Sequence, residues 1–169
     1  IEIKVGPETN FGAHQLLGIR YVLAYDGTDL PGYAPLQRIE RASKTIFEGQ
    51  VPAGPAFLSP ENFCVSNDEE ALNAIHAADY STLVKGAILV SSDPEALPFC
   101  RKNLVAGHTS EMLPARIRVQ RGNDAVSIEV QSETGGMLTL ADTYYPGWKG
   151  YVDGGEVPIL RTYTTFRGV

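Results

Sequence analysis

The stretch MLTLADTYYPGWKGYVDGGEVPILR, residues 137–161, contains the strongest structural signals of the chain. Leu138 and Leu140 alternate with small or polar residues, and this period of two is typical of a strand with one buried face. The segment Tyr-Tyr-Pro-Gly at 144–147 cannot continue a strand, because proline lacks the backbone donor and glycine favours a turn. Asp-Gly-Gly at 153–155 has the composition of a hairpin turn, in which glycine readily adopts a positive φ. The stretch therefore predicts a β-module with short strands, an aromatic corner and a hairpin.

Short alternating strands also occur upstream of this stretch, throughout the second half of the chain. From about Met112 onward, apolar residues recur at every second position in two further segments: Ile117 and Val119, then Val126, Ile128 and Val130. Regular short strands of this kind indicate an antiparallel β-sandwich, which we expect to be jelly-roll-like. The last residues, 166–169, stop inside a strand-like pattern. We therefore expect residues 111–169 to form a sandwich that is truncated at its C-terminus.

The first half of the chain mixes helices and strands. Asn10 can cap a short helix, and Ile19 to Ala24 then forms a β-branched and aromatic strand. The segment Ser66-Asn-Asp-Glu69 has the capping-box pattern, which predicts a second helix with its apolar residues on one face. Residues 86–91 form a further apolar strand. We predict that residues 1–110 are a small α/β subdomain, and that the whole chain is an α+β protein that is mainly β.

Composition limits the classes of function that the chain can have. With 169 residues, of which 43% are hydrophobic, it can bury a core as one domain or as two packed subdomains. A net charge of −6 and a pI near 5.0 argue against a nucleic-acid surface, which requires clustered Lys and Arg. No apolar run approaches the ~20 residues that cross a bilayer, so we expect that the chain itself does not span a membrane. Ile1 follows neither an initiator Met nor a signal-peptide segment, so we expect a soluble piece cut from a longer protein.

Residues 140–169, LADTYYPGWKGYVDGGEVPILRTYTTFRGV, resemble a motif near the C-terminus of YfhO-type bacterial membrane proteins. These polytopic proteins are relatives of the C-type glycosyltransferases. Three upstream segments resemble other parts of the same extracytoplasmic region: LLGIRYVLA (16–24), DEEALNAIHAADY (68–80) and GAILVSS (86–92). The four segments contain 59 of the 169 residues and are spread between residues 16 and 169, and the Tyr-Tyr-Pro-Gly-Trp corner is the most specific part of the resemblance.

This resemblance implies a non-catalytic accessory domain on the extracytoplasmic face of the bacterial cytoplasmic membrane, either periplasmic or at the cell surface. The parent protein would resemble lipid-linked-sugar-dependent glycosyltransferases, in which many transmembrane helices and a first extracytoplasmic loop carry the catalytic acidic residue, outside this chain. No catalytic residue of the family can be assigned to a position in this sequence. The implied partners are the transmembrane part of the same polypeptide and an acceptor glycan of the cell envelope.

The sequence contains no motif for catalysis or for a cofactor. It has no glycine-rich phosphate loop, no Gly-x-Ser-x-Gly elbow and no His-Glu-x-x-His helix. The three histidines, His14, His76 and His108, are scattered without the spacing of metal ligands. We therefore predict no catalytic residue, no cofactor and no metal site. A secreted hydrolase with an unrecognised site stays as a second alternative.

The corner aromatics Tyr144, Tyr145 and Trp148, with Asp142 beside them, are the candidate carbohydrate-binding residues. Exposed flat rings can stack on sugar faces, and a nearby carboxylate can accept hydrogen bonds from sugar hydroxyls. The competing interpretation, which the residues alone favour, is structural: Trp148 and one tyrosine would fill the gap between the sheets of a sandwich. Exposure of the rings separates a glycan-binding domain from a structural or protein-interaction module with no ligand.

Two cysteines, Cys64 and Cys100, allow a single disulfide. An extracytoplasmic domain could form it, but the sequence distance between the two residues does not fix the separation of their Cα atoms. We favour two separate buried thiols and keep the disulfide as the alternative.

Overall fold

The computed structural model describes residues 11–50, 54–102 and 115–169, and within these ranges the chain is an α+β protein that is mainly β, as predicted. Asn10, the predicted cap, and His108 lie outside them. The helices are α1 (Phe11–Leu16), α2 (Asp68–Ala77), α3 (Tyr80–Lys85) and α4 (Leu97–Lys102), with a 3-10 turn at Glu40–Ala42. Among the described residues, no helix has both the length and the apolar character needed to cross a membrane. The strands of the first half are β1 (Tyr21–Tyr25), β2 (Tyr33–Ile39), β3 (Lys44–Gly49), β4 (Ala56–Ser59), β5 (Glu61–Val65) and β6 (Gly86–Val90). The strands of the second half are β7 (Arg116–Arg121), β8 (Val126–Gln131), β9 (Met137–Thr143), β10 (Gly150–Val152), β11 (Gly155–Val157), β12 (Leu160–Thr162) and β13 (Phe166–Gly168).

The first three strands form a separate antiparallel sheet in the order β1-β3-β2. β1 reads YVLAY, and its side chains alternate between exposed and buried positions because successive residues of a strand face opposite sides. Its exposed positions are Tyr21, Leu23 and Tyr25. The opposite face packs into a small hydrophobic cluster made of Val22, Ala24, Leu30, Tyr33 and Phe47. Both faces of β1 are thus apolar, although only one of them is covered.

A six-stranded mixed sheet has the order β4-β9-β13-β12-β6-β5. The β5–β6 pair is parallel, and the other neighbours are antiparallel. β13 lies between β9 and β12, so both of its edges are paired. The predicted subdomain boundary at residue 110 lies outside the described residues. Strands from both sides of that boundary share this sheet, since β4 to β6 precede it and β9, β12 and β13 follow it.

The main hydrophobic core lies where helices pack against the centre of the six-stranded sheet. β6 reads GAILV and is buried at every position, which is typical of a strand covered on both faces. Ala71 and Ile75 of α2 and Leu83 of α3 pack into this core, and Leu160 of β12 belongs to the same cluster. Burial of large apolar side chains, at ~1.5–3 kcal/mol each, is the main favourable contribution to folding here.

The second helix has its cap one residue later than the sequence pattern predicts. Asn67 is the N-cap, and its Oδ1 accepts a hydrogen bond of 2.9 Å from the backbone N–H of Glu70. The backbone N–H of Ser66 donates to the Glu70 carboxylate, also at 2.9 Å. Asn67 and Glu70 thus replace the predicted Ser66 and Glu69, and the Glu70 carboxylate accepts from the N–H of Ser66, the residue before the cap, and not from the N–H of the cap residue as in a capping box.

Cys64 of β5 and Cys100 of α4 form a disulfide, with their Cα atoms 5.5 Å apart. That separation lies within the usual range for the bond. The favoured interpretation of two separate thiols is therefore wrong, and the alternative holds. Because β5 is an edge strand of the six-stranded sheet, the bond ties α4 to that edge.

Candidate functional site

A groove of about 770 Å³ lies beside the aromatic corner. Its lining comes from the β7–β8 ribbon, from β9 and β13 of the six-stranded sheet, and from residues 147–153, which lead into the β10–β11 ribbon. Its volume falls in the ~300–1,000 Å³ range of small-molecule sites. Much of the lining is apolar and includes Val126, Ile128, Leu138, Leu140, Trp148 and Tyr151.

Two tight turns bring the aromatic rings to this groove. Asp153 and Gly154 have positive φ angles of 49° and 83°, as in the two-residue hairpin turn that Asp-Gly favours. Gly147, with φ at 108°, turns the chain at the corner just before Trp148. The hairpin predicted from the sequence is therefore present, and Trp148 and Tyr151 of this segment line the groove.

The corner aromatics are not part of the buried core. Tyr145 is 56% exposed, and Tyr144 and Trp148 are half-buried. The rings of Tyr145 and Trp148 meet edge to face, with their centroids 6.0 Å apart. These rings therefore do not fill the gap between two sheets, as the structural interpretation expected. Tyr145 instead adds an exposed ring beside Trp148, and it is not among the residues that line the groove.

The carboxylate of Asp142, beside the corner, is hydrogen-bonded to other groups of the protein. Its Oδ2 accepts hydrogen bonds from Arg121 at 2.8 Å and from Arg167 at 2.6 Å, and its Oδ1 accepts from the backbone N–H of Thr143. The hydrogen bond from Arg121, assisted by the charges of both arginines, lowers the pKa of the Asp142 carboxyl. Both of its oxygens bind donors of the chain, so Asp142 positions the two arginines and is not the free acceptor predicted for a sugar hydroxyl.

Arg167 is the residue of this site that the sequence pattern misses. It is only 7% exposed, and its guanidinium lies over the Trp148 ring, 4.2 Å from the ring centroid. Among the described residues, neither Nε of Arg167 nor Nε1 of Trp148 has a hydrogen-bond partner. Both side chains line the groove. The signal that could have identified Arg167 is a lone arginine between Phe166 and Gly168, in a strand that is otherwise apolar.

A second, wider cleft of about 940 Å³ is lined by residues of α3 and of the three-stranded sheet. Burial raises the pKa of Tyr33 to about 12 and also raises the pKa of Tyr80. Asp79 caps α3, and its hydrogen bond from the backbone N–H of Thr82 lowers the pKa of its carboxyl. All three pKa values move away from neutral pH, so none of these groups becomes a better acid or base for catalysis. The cleft therefore gives no support to the hydrolase alternative.

The described part of the chain has no set of side chains arranged to bind a metal ion. No group of three or more His, Cys, Asp or Glu residues there could hold a metal ion. The chemistry that these residues offer is aromatic stacking and hydrogen bonding in the groove.

Acid should weaken the contacts around Asp142. Because the folded-state pKa of this carboxyl is lowered, it contributes stability above its unfolded pKa and loses that contribution as the pH falls through its folded pKa. We expect Asp142→Asn to lower the free energy of unfolding at pH 7 by up to ~1 kcal/mol, a small effect because 35% of the side chain is exposed. Urea unfolding of both proteins over a series of acidic pH values should show their midpoints converging. A difference that stays constant down to strongly acidic pH would contradict this assignment.

No protein-family model, curated protein or solved structure matches the chain. The resemblance to YfhO-type proteins therefore rests on its sequence motifs alone.

Proposed function

We propose that the chain is a non-catalytic accessory domain on the extracytoplasmic side of a bacterial integral membrane protein involved in cell-envelope glycosylation. In this role, the groove beside Trp148 binds an acceptor glycan of the envelope. The observation that carries the binding role is the groove lined by Trp148 and Tyr151, with the exposed ring of Tyr145 in contact with Trp148. Aromatic rings in a groove of this size suit the apolar faces of sugars.

Two further features support the proposed location. A disulfide between Cys64 and Cys100 is typical of oxidising compartments such as the periplasm and the cell surface. The motif of residues 140–169 resembles the C-terminal extracytoplasmic region of YfhO-type proteins. Under this proposal the membrane part of the parent protein performs glycosyl transfer, and this domain contributes binding only.

Replacement of Tyr145 by alanine should weaken glycan binding without unfolding the domain. The ring is largely exposed and contacts Trp148, so its loss removes surface for a ligand and little core packing. We expect the affinity to fall about tenfold, which corresponds to ~1.4 kcal/mol and is typical of an aromatic contact at a binding site. Trp148 is the only tryptophan of the chain, so its fluorescence reports on the groove during titration with envelope polysaccharides.

Tyr21→Ala is the matched control for this experiment. Tyr21 is 55% exposed, almost as much as Tyr145, but it lies on the separate three-stranded sheet. Circular dichroism should show that both variants are folded. Binding that is lost in Tyr145→Ala and kept in Tyr21→Ala supports the corner as the site. Equal effects of the two substitutions, or no saturable binding by the folded wild type, would contradict it.

A structural or protein-interaction module is the second candidate, because apolar side chains cluster on the outer face of the three-stranded sheet. Tyr21, Leu23 and Tyr25 are exposed at alternate positions of β1 and therefore lie on one face of the strand. Contiguous exposed apolar residues mark interaction surfaces. The partner under this candidate is the transmembrane part of the same polypeptide. It becomes the better explanation if no polysaccharide changes the fluorescence of the folded wild type.

A further inference from the structure

The groove contains two buried hydrogen-bond donors that need an acceptor. The Nε–H of Arg167 and the Nε1–H of Trp148 have no acceptor among the described residues. Buried N–H groups nearly always have a partner, and an unpaired one costs ~1–3 kcal/mol. A ligand oxygen in the groove would supply the missing acceptor. Because the Arg167 guanidinium lies over the Trp148 ring, an oxygen bound to either group should change the fluorescence of Trp148.

The groove also offers hydrogen-bond acceptors. Asp124 and Asp153 lie in the turns of the two ribbons and line the groove, and both are exposed. Neither carboxylate has a hydrogen bond or an ion pair within the described ranges. Ionised carboxylates only accept hydrogen bonds, so their partners on a ligand would be hydroxyl or N–H donors. A matching ligand therefore presents both donors and acceptors, as each saccharide hydroxyl does.

Four charged side chains line the groove: the carboxylates of Asp124 and Asp153, and the cations of Lys149 and Arg167. Each of these cations already has a carboxylate partner: Arg167 is bound to Asp142, and Lys149 lies 3.8 Å from a glutamate. The whole chain has a net charge of −6. An acidic ligand would therefore meet two unpaired like charges and no unpaired cation, whereas an uncharged ligand would meet no such repulsion.

We infer that the groove selects an uncharged saccharide over an acidic saccharide of the same length. This inference rests on the proposed glycan-binding function and adds the chemical class of the ligand. The rings of Trp148 and Tyr151 contact the apolar faces of the sugar. Its oxygens accept hydrogen bonds from Arg167 and Trp148, and its hydroxyls donate to Asp124 and Asp153.

Isothermal titration calorimetry of the whole chain with matched hexasaccharides tests the inference. The neutral probes are oligomers of glucose and of N-acetylglucosamine, and the acidic probe is an oligomer of galacturonate. We expect at least one neutral probe to bind saturably, and about tenfold or more tightly than the acidic probe. The neutral affinity should change by less than about twofold between about 50 mM and about 500 mM NaCl, because screening has little effect on an uncharged ligand.

Two substitutions test the assigned groups separately. Trp148→Phe keeps an aromatic ring but removes the N–H donor, so the affinity for the neutral probe should fall about fivefold while circular dichroism stays unchanged. The double variant Asp124→Asn with Asp153→Asn removes two like charges and keeps an acceptor at each position. Its affinity for the acidic probe should rise about tenfold.

Each contrary result points to a different error. Acidic binding that equals or exceeds neutral binding overturns the inference and leaves the proposed glycan-binding function standing. An unchanged neutral affinity in Trp148→Phe overturns the role given to its N–H. Absence of binding to every saccharide probe overturns both the inference and the proposed function.

Discussion

Removal of the disulfide between Cys64 and Cys100 is expected to lower the free energy of unfolding by ~4 kcal/mol. The bond joins residues with a sequence separation of 36. In the chain-entropy model, a cross-link over this length restricts the unfolded chain by ~4 kcal/mol at 25 °C. Domains have net stabilities of ~5–15 kcal/mol, so the loss would remove a large fraction of the total.

Urea unfolding with and without a reductant measures this effect. Cys64 is exposed, whereas Cys100 is buried in the main core, so Cys64→Ala removes the cross-link with little change in packing. Its midpoint should match that of the reduced wild type and should not respond to reductant. Cys100→Ala should unfold at a slightly lower urea concentration, because it also leaves a small cavity. If the urea midpoint of the wild type is the same with and without reductant, and two thiols can be titrated, the disulfide does not form.

Local periodicity predicts much of the second half of the fold. β7, β8 and β9 lie where apolar residues alternate, because successive side chains of a strand face opposite sides. The turn at Asp153 and Gly154 is predictable for a similar local reason, since few residue types accept positive φ. In the first half, the capping pattern places α2 correctly to within one residue.

The order of strands in the six-stranded sheet does not follow from local pattern. A period of two shows which face of a strand is buried but not which strand lies beside it. β6 pairs with β12, and β13 inserts between β12 and β9, through contacts between distant parts of the chain. α3 and α4 have six residues each, too few for a helical period to become visible. The preference for two separate thiols was wrong because the spacing of Cys64 and Cys100 in sequence does not give the distance between their Cα atoms.

The sequence identifies one residue of the groove and does not predict the roles of its neighbours. Of the four residues chosen from the sequence, Trp148 lines the groove, whereas Asp142, Tyr144 and Tyr145 are not among its lining residues. The role of Asp142 depends on Arg121 and Arg167, which are 21 and 25 residues away and reach it from other strands. Pairing with these arginines changes Asp142 from a free acceptor into a positioning residue. The unpaired N–H groups of Arg167 and Trp148 likewise become visible only once the strands are assembled.

Substitution of Tyr163, which connects the β12–β13 pair to α3, is also expected to lower the free energy of unfolding strongly. Its hydroxyl lies 2.6 Å from the carbonyl oxygen of Leu83 and 3.1 Å from that of Gly86. These carbonyls are at the end of α3, where the helix offers them no N–H partners. The ring is 3% exposed and packs between Phe57 and Phe166. Burial raises the pKa of the phenol, so the hydroxyl remains a donor at all ordinary pH values.

The backbone at this position is unfavourable for the residues that occupy it. Tyr163 and Thr164 have φ angles of 48° and 64°, and the N–H of Thr165 donates to the carbonyl of Thr162 at 3.1 Å. Two-residue turns of this kind favour glycine, asparagine and aspartate. A bulky or β-branched residue in such a conformation costs ~1–3 kcal/mol. The burial and hydrogen bonds of the Tyr163 side chain must therefore outweigh that cost.

We expect Tyr163→Phe to lower the free energy of unfolding by ~1–3 kcal/mol, because the buried carbonyls at the end of α3 lose their donor. Tyr163→Ala should cost ~3–5 kcal/mol, because a large buried ring leaves a cavity. Thr164→Gly is the control in the same turn, and it should raise stability slightly by relieving the positive φ. Urea unfolding of the three variants gives these values. A Tyr163→Phe midpoint equal to that of the wild type would show that the hydroxyl does not hold α3.

The same variants separate fold stability from ligand binding. Tyr163 is not among the residues that line the groove, whereas β13, which follows its turn, carries Arg167 into the groove wall. The hydroxyl of Tyr163 acts on α3 and not on β13, so Tyr163→Phe should leave the Trp148 emission of the folded chain unchanged. A shifted emission in folded Tyr163→Phe would instead mean that the contact with α3 also sets the position of β13. In that case the stability of the core and the shape of the groove would depend on the same tyrosine.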